Sequence, residues 1–289
     1  MRDDPGFCLT PVVDFGWSGA GNTGVLRVNL PEEAKLTMLR SPAELEPFRR
    51  PDQLLWVSAG GCYVINGEWI PLVRRSRSSP SNPGRATICS GRADSPRELY
   101  EPSLVFRELF EEIVIVAEDG TVIVPDLASD DLHSGEFGLR QLFAILDPLL
   151  VSAGIAPTGF TPVPAEFDGY LALDQVEVFR AGAPVSMTRC MVHHQPDTSE
   201  INLLRVVRLD LGDRDLESLR FFDTECAASD GLEKPLRRDI YLFHIPSGEL
   251  VSYLAGWSRR AVPASIPLTD HATRLLGAVC RGHGSSIRQ

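Results

Sequence analysis

The hydrophobic and polar positions of the chain predict a mixture of strands and helices. Apolar, β-branched runs at 54–58, 62–65 and 69–74 are typical of short strands. Asn66-Gly67 separates the second and third of these runs, and this dipeptide predicts a tight β-hairpin. The sequence therefore predicts at least one hairpin in the first half of the chain.

Similar patterns recur further along the chain. Residues 86–89 predict a short strand, and the run 113–116, the turn Asp119-Gly120 and the run 121–124 predict a second hairpin. Later strands are predicted at 170–173, 176–179, 185–192, 201–211, 239–245 and 250–254.

Three further segments complete the predicted architecture. A helix is predicted from about 137 to 153, ended near Gly154, and Pro148 within it predicts a kink or a split. The proline-rich tract 158–164 predicts a connection, and residues 270–280 predict a closing helix. Because strands and helices are mixed and hairpins dominate, the predicted class is α+β, built on a mixed sheet.

The stretch from Arg107 to Glu112 carries the strongest chemical signal. At about 100° per residue, a helix here places the apolar side chains in one sector and Glu108, Glu111 and Glu112 in the other. Three carboxylates at this spacing repel one another unless a positive charge is shared between them. A hard divalent cation such as Mg²⁺ or Mn²⁺ would meet that need. The alternative is a solvated acidic face paired with basic neighbours, of which Arg107 is one.

Composition and charge limit the kinds of molecule that the protein is expected to bind. The 289 residues are 43% hydrophobic and 23% charged, as in ordinary globular proteins, and the formal net charge is −11. A nucleic-acid-binding protein would be expected to show a long basic patch, whereas the nearest candidate is the short run Arg74-Arg75-Ser76-Arg77. Nucleic acid is therefore not an expected partner. An acidic protein that handles phosphates needs a metal ion or a local arginine cluster.

Cysteines and apolar segments predict the compartment. The six cysteines are scattered without a Cys-x-x-Cys pair, which favours reduced thiols in a cytoplasmic protein over zinc ligands or a disulfide framework. No sustained apolar stretch follows residues 1–5, so a signal peptide is not expected. The longest apolar region, 142–155, is interrupted by Asp147 and Pro148 and is too short to span a bilayer. No membrane partner is expected.

Residues 91–115 resemble the signature of the Nudix hydrolases. That signature reads Gly, five residues, Glu, seven residues, Arg-Glu, an apolar residue, any residue, Glu-Glu, any residue, Gly and an apolar residue. Residues 107–112, Arg-Glu-Leu-Phe-Glu-Glu, reproduce its centre in full. The strand and loop before the predicted helix, and the hairpin strands upstream, also resemble the family. The resemblance covers about 52–125.

Three positions depart from the signature. Six residues rather than five separate Gly91 from Glu98, and eight rather than seven separate Glu98 from Arg107. Glu101 is the other upstream glutamate that could partly take the place of Glu98. Val114 stands where the family has its final glycine, so the helix cannot use the usual left-handed glycine exit.

The resemblance implies a Nudix-like α/β/α sandwich with a mixed sheet. It also implies hydrolysis of a diphosphate linked to another moiety, often a nucleoside, with Mg²⁺ or Mn²⁺. Glu108, Glu111 and Glu112 would hold the metal, and Arg107 would orient the glutamates through a charge-assisted pair. These four residues form the catalytic set that the resemblance implies.

Other residues enter as candidates for the same reaction. Arg74 and Arg75 would bind the phosphates of a small-molecule substrate, or else are solvated residues at a strand end. The general base would be one of the three glutamates or a loop carboxylate such as Glu166 or Glu225. The sequence does not choose among them.

The resemblance also suggests a division of the chain. An N-terminal extension, 1–50, would pack on a Nudix-like domain, 51–260, which carries an inserted segment at about 126–200; residues 261–289 would form a C-terminal helix and tail. A non-catalytic Nudix-fold protein that binds or senses a phosphorylated metabolite is the alternative function. A homodimer is left open as a further partnership.

Overall fold

The computed structural model describes much of the chain in separate segments. Strand is more abundant than helix in these segments, and the strands form mixed sheets with few helices. The predicted α+β class is therefore confirmed. The described residues are 7–11, 14–20, 23–30, 37–39, 54–75, 82–92, 103–127, 139–167, 171, 173–195, 200–222, 224, 240–253 and 266–284.

The elements are numbered in chain order. The helices of the described segments are α1 (Ser103–Glu112), α2 (Leu139–Ser152) and α3 (Asp270–Gly282). The strands are β1 (Phe7–Pro11), β2 (Asp14–Ala20), β3 (Thr23–Leu30), β4 (Thr37–Leu39), β5 (Leu54–Ile65), β6 (Trp69–Arg74), β7 (Ala86–Thr87), β8 (Cys89–Arg92), β9 (Val114–Ala117), β10 (Thr121–Leu127), β11 (Gly159–Phe167), β12 (Asp174–Arg180), β13 (Ala183–Gln195), β14 (Glu200–Leu209), β15 (Leu219–Phe222), β16 (Ile240–His244) and β17 (Glu249–Tyr253).

The chain divides into two compact units. The first contains the described parts of Met1–Ala59, Gly91–Leu104 and Ala172–Leu204, and the second contains those of Gly60–Ser90, Val105–Leu171 and Arg205–Gln289. The predicted boundaries near 50 and 260 stay predictions.

The first unit contains a mixed sheet in the order β2, β3, β12 and β13. β3 is antiparallel to β2 and parallel to β12, and β13 returns antiparallel to β12. The buried carboxylate of Asp174 accepts hydrogen bonds from the backbone N–H groups of Gly24 and Val192, both at 2.7 Å. One side chain at the start of β12 therefore ties β3 and β13 together.

The second unit contains a mixed sheet in the order β15, β9, β10, β11 and the end of β14. β10 and β11 are parallel, and the other pairs are antiparallel. β16 also lies between β17 and β6, and β6 pairs with β7. Helix α2 connects the parallel strands β10 and β11 and lies against β10.

The predicted hairpins are confirmed. Asn66 and Gly67 have φ values of +50° and +73°, and the N–H of Glu68 donates to the carbonyl of Ile65 at 3.0 Å. Positive φ at both central positions is what a tight type I′ turn requires. The second predicted hairpin forms between β9 and β10, and the strands predicted at 239–245 and 250–254 pair with each other as β16 and β17.

The tract 158–164 is a strand and not the predicted connection. The carbonyl of Pro164 accepts a hydrogen bond from the N–H of Asp210 at 2.9 Å, so the backbone polar groups of Pro164 face away from β10. Pro162 lies two residues earlier and has the same orientation. Neither missing N–H removes a hydrogen bond between β10 and β11, so this strand tolerates both prolines.

Helix α2 is continuous through Pro148, so the predicted split is wrong. Leu142, Leu146 and Leu150 form a buried stripe on one face, whereas Pro148 is exposed. Burial of that stripe stabilises the helix across the one hydrogen bond that proline cannot donate. The helix ends at the predicted place, where Gly154 has a φ of +65°.

Most of the remaining predicted elements are confirmed. The strands predicted from residue 176 onward correspond to β12, β13, β14, β16 and β17, and the closing helix corresponds to α3. Leu171 and Leu173 do not lie in the strand predicted at 170–173. Within the described segments, no helix is long and apolar enough to cross a membrane. Four cysteines are buried thiols, in agreement with the prediction of reduced cysteines: Cys62, Cys89, Cys190 and Cys280.

Candidate active site

Helix α1 carries the acidic motif, and its apolar sector is buried as predicted. Phe106 contacts Phe167 of β11, with ring centroids 5.7 Å apart. Gly61 of β5 lies directly beneath the helix, because a Cβ atom there would meet Cγ1 of Val105 at 2.9 Å. The glycine allows α1 to approach β5 closely, which sets the distance between helix and strand. The buried aromatic rings set the rotation of α1 about its own axis. The buried apolar residues of the helix are Leu104, Val105, Phe106, Leu109 and Phe110.

The acidic sector is half-buried, and is not a freely solvated face. Nη1 of Arg107 lies 3.1 Å from Oε1 of Glu108 and 3.3 Å from both carboxylate oxygens of Glu111. The exposed fractions of these side chains are 22%, 8% and 24%, respectively. One guanidinium group therefore lies between two carboxylates that water reaches poorly, and such charge-assisted contacts are stronger than those on an open surface.

Glu112 completes the acidic set at the end of the helix. Its side chain is partly exposed, but one carboxylate oxygen, Oε2, is buried. Glu108, Glu111 and Glu112 thus bring three formal negative charges to one turn and a half of helix, which also carries Arg107.

The donor chemistry of this set fits Mg²⁺ or Mn²⁺, since both ions prefer carboxylate oxygens. The positions of the side chains do not match a metal site, because within the described segments no three histidine, cysteine, aspartate or glutamate side chains are grouped to hold a metal ion. Glu111 faces Arg107. Ion binding at this set would therefore need the carboxylate groups to lie closer to one another.

The end of α1 explains how Val114 replaces the expected glycine. The N–H of Ile113 donates to the carbonyl of Leu109 at 2.7 Å, and strand β9 begins at the next residue, Val114. The hydroxyl of Thr224 donates to the carbonyls of Phe110 and Glu111, at 3.0 Å in each case. The helix thus passes straight into an extended strand, and a side chain from elsewhere satisfies carbonyls that a glycine exit would otherwise satisfy.

Arg74 and Arg75 lie at the end of β6 and are partly exposed. Nε of Arg74 donates to the carbonyl of Gly84 at 3.2 Å, and the N–H of Arg75 donates to the carbonyl of Arg85 at 2.9 Å. These contacts attach both residues to the turn before β7. Their role in phosphate binding stays a prediction.

The structure describes one of the two predicted loop carboxylates that are candidates for the general base. Glu166 is exposed and pairs with Arg208 at 3.5 Å. Because neighbours on a strand point to opposite faces, Glu166 lies on the face opposite to Phe167, which contacts α1. Glu166 is therefore a poor candidate for a base at this site. Glu225, and the upstream glutamates Glu98 and Glu101, lie outside the described residues.

Two residues that serve this site were missed by the sequence interpretation. Gly61 has a recognisable signal, since a Gly-Gly pair inside a strand pattern indicates close approach by another element. Thr224 has none, because its contact with α1 depends on the pairing of β15 with β9. Register between distant strands is not visible in a single sequence.

No model of a protein family matches the chain, and no curated protein is significantly similar to it.

Proposed function

We propose that this chain is a metal-dependent hydrolase that cleaves a diphosphate linkage in a nucleotide or a related phosphorylated metabolite. The proposal rests on one observation above all. Glu108 is almost fully buried and shares the guanidinium group of Arg107 with Glu111, on a helix face that also carries Glu112. Isolated glutamates on a protein surface are usually solvated and are not buried or positioned in this way.

Each residue of the set has a separate task in this proposal. Glu108, Glu111 and Glu112 would hold Mg²⁺ or Mn²⁺, which would supply a Lewis acid for the phosphate group and for activation of a water molecule. Arg107 would orient two of the carboxylates through its charge-assisted contacts with Glu108 and Glu111. Arg74 and Arg75 would bind the phosphates of the substrate.

The proposal extends to the fold and the compartment. In a Nudix-like α/β/α sandwich, α1 would be the helix that carries the metal-binding glutamates. The strand β8 before the helix, and the hairpin of β5 and β6 upstream, support this arrangement. The buried thiols support a reducing, cytoplasmic environment.

The test is hydrolysis of a panel of nucleoside diphosphate derivatives with Mg²⁺ or Mn²⁺. Glu112→Gln keeps the size of the side chain and removes its charge, so we expect a loss of activity of about a hundredfold or more. Glu118→Gln is the matched control, because Glu118 is exposed in the turn after β9. Cleavage of no panel member by the wild-type protein, or equal activity of wild type and Glu112→Gln, would contradict the proposal.

A non-catalytic Nudix-fold protein that binds or senses a phosphorylated metabolite is the second candidate. The separation of the carboxylate groups favours it, since no three such side chains are grouped for a metal ion in the described part of the chain. Binding of a panel member that is not cleaved, with the same affinity in wild type and Glu112→Gln, would support this candidate over the hydrolase.

A further inference from the structure

The hydroxyl of Thr224 forms a contact with the last turn of α1 that joins residues far apart in sequence. Its Oγ1 atom lies 3.0 Å from the carbonyl oxygens of both Phe110 and Glu111. Thr224 is 2% exposed. A buried hydroxyl shared by two carbonyls at a helix end is a capping interaction.

Strand pairing explains how Thr224 reaches the helix. β15 runs antiparallel to β9, and Phe222 lies opposite Val114. Because β9 begins just after α1, the end of β15 at Phe222 lies next to the end of the helix. Two residues further on, Thr224 is level with the last helical turn. The register of one strand pair thus places a hydroxyl group against the helix that carries the glutamates.

The helix has a specific need for this hydroxyl. In a longer helix, the carbonyls of Phe110 and Glu111 would accept hydrogen bonds from the residues four positions later, Val114 and Ile115. Those residues belong to β9 and have extended backbone. Val114 also rules out the left-handed glycine ending, which would satisfy the same carbonyls. Removal of the Thr224 hydroxyl would therefore take a hydrogen-bond donor away from these two carbonyls.

We infer that Thr224 is the positioning residue of the candidate site: it holds the last turn of α1 and thereby the direction of the Glu111 and Glu112 side chains. The inference rests on the proposed function for its consequence, but the positioning itself is a property of the fold. Glu111 accepts the capping bond through its own backbone, and Glu112 is the final residue of the helix. Loosening this turn would change the direction of two of the three proposed metal ligands.

Amide hydrogen exchange tests the positioning without any ligand. The reporter is the amide of Ile113, which donates to Leu109 across the last turn. Thr224→Ala should speed its exchange by about tenfold, whereas Thr224→Ser, which keeps the hydroxyl, should leave it near the wild-type rate. Equal rates in wild type and Thr224→Ala, or an equal increase in the serine and alanine variants, would overturn the inference.

A matched control separates local from general loss of stability. Thr273 also donates its hydroxyl to a helix carbonyl, that of Thr269, at 3.0 Å in α3. Thr273→Ala should therefore leave the exchange of Ile113 unchanged. Faster exchange of Ile113 in this control, to the same extent as in Thr224→Ala, would overturn the assignment to Thr224.

Mn²⁺ titration followed by electron paramagnetic resonance tests the functional consequence. We expect Thr224→Ala to weaken Mn²⁺ binding by about tenfold and Thr224→Ser to restore it, since supporting residues of metal ligands typically have effects of this size. Wild-type Mn²⁺ affinity in Thr224→Ala, despite faster exchange of Ile113, would overturn the positioning role and leave the proposed hydrolase intact. Absence of Mn²⁺ binding to the wild-type protein would instead contradict the proposed function, and the exchange rates would still decide the role of Thr224.

Discussion

Nη1 of Arg107 lies 3.1 Å from Oε1 of Glu108, whose side chain is 8% exposed. These residues are adjacent in sequence, and adjacent side chains of a helix do not ordinarily face each other. The guanidinium group reaches Glu108 and Glu111 together, so it serves as the shared positive charge of the acidic face. The stability of the folded protein should depend on it.

Arg107→Met should therefore destabilise the protein. Methionine keeps much of the apolar stem but leaves Glu108 and Glu111 without the guanidinium charge, at an expected cost of about 2 kcal/mol in the free energy of unfolding. Chemical denaturation measures this loss. Arg107→Lys, which keeps a positive charge without the planar fork, should lose less. A methionine variant as stable as wild type would show that the contact contributes little.

Metal ions should stabilise the folded protein if the proposed site exists. An ion present at about 100 times its dissociation constant adds about 2.7 kcal/mol to the free energy of unfolding, because it binds only the native state. Thermal unfolding with and without Mn²⁺, at matched ionic strength, measures the gain in Tm. The gain should shrink in Glu112→Gln and persist in Glu118→Gln. An equal gain in both variants would place the ion elsewhere.

Gly61→Ala should destabilise the packing beneath α1. The new Cβ would lie 2.9 Å from Cγ1 of Val105 and 3.1 Å from the backbone oxygen of Arg205, so either the helix or the strand must shift. Overpacking of this kind costs about 1–3 kcal/mol, which denaturation would detect. Gly159→Ala is the control, since its Cβ would meet only Cγ2 of Thr121 at an ordinary 3.7 Å.

Asp174→Ala should destabilise the sheet of the first unit. The substitution leaves the N–H groups of Gly24 and Val192 without the carboxylate that accepts from both, at 2.7 Å in each case. Two buried donors lose their acceptor, so we expect a loss of about 2–4 kcal/mol in the free energy of unfolding. Asp174→Asn keeps one oxygen acceptor and should lose less. Equal stability of all three proteins would show that the carboxylate is dispensable.

Acid should weaken the turn between β9 and β10. The pKa of Asp119 lies below its ordinary value of 3.8. The hydrogen bond from the Thr121 hydroxyl has the largest effect and that from the Thr121 N–H the next largest. The charge of Arg214 makes a smaller contribution. Because the folded-state pKa is the lower one, the stabilisation is fully present above about pH 4 and is lost as pH falls through the folded-state pKa. Carboxyl titration by NMR measures it. Thr121→Val should move the pKa back towards 3.8; an Asp119 pKa that is not depressed in wild type would contradict the assignment.

The sequence by itself determined many of the elements and the acidic residues of the candidate site. Asn66-Gly67 predicted a hairpin because positive φ at two successive positions suits few other dipeptides. The spacing of Glu108, Glu111 and Glu112 predicted one helix face, because helical geometry follows from residue spacing alone. The α+β class followed from the same local patterns.

Only the tertiary structure decided the environment of that face and the support of its helix. The burial of Glu108 is a property of the folded chain, and capping by Thr224 depends on the pairing of β15 with β9. Strand behaviour at Pro162 and Pro164 likewise depended on which side of β11 faced β10. Hydrogen-bond partners and burial are properties of pairs of segments, and a single sequence records the segments without their pairing.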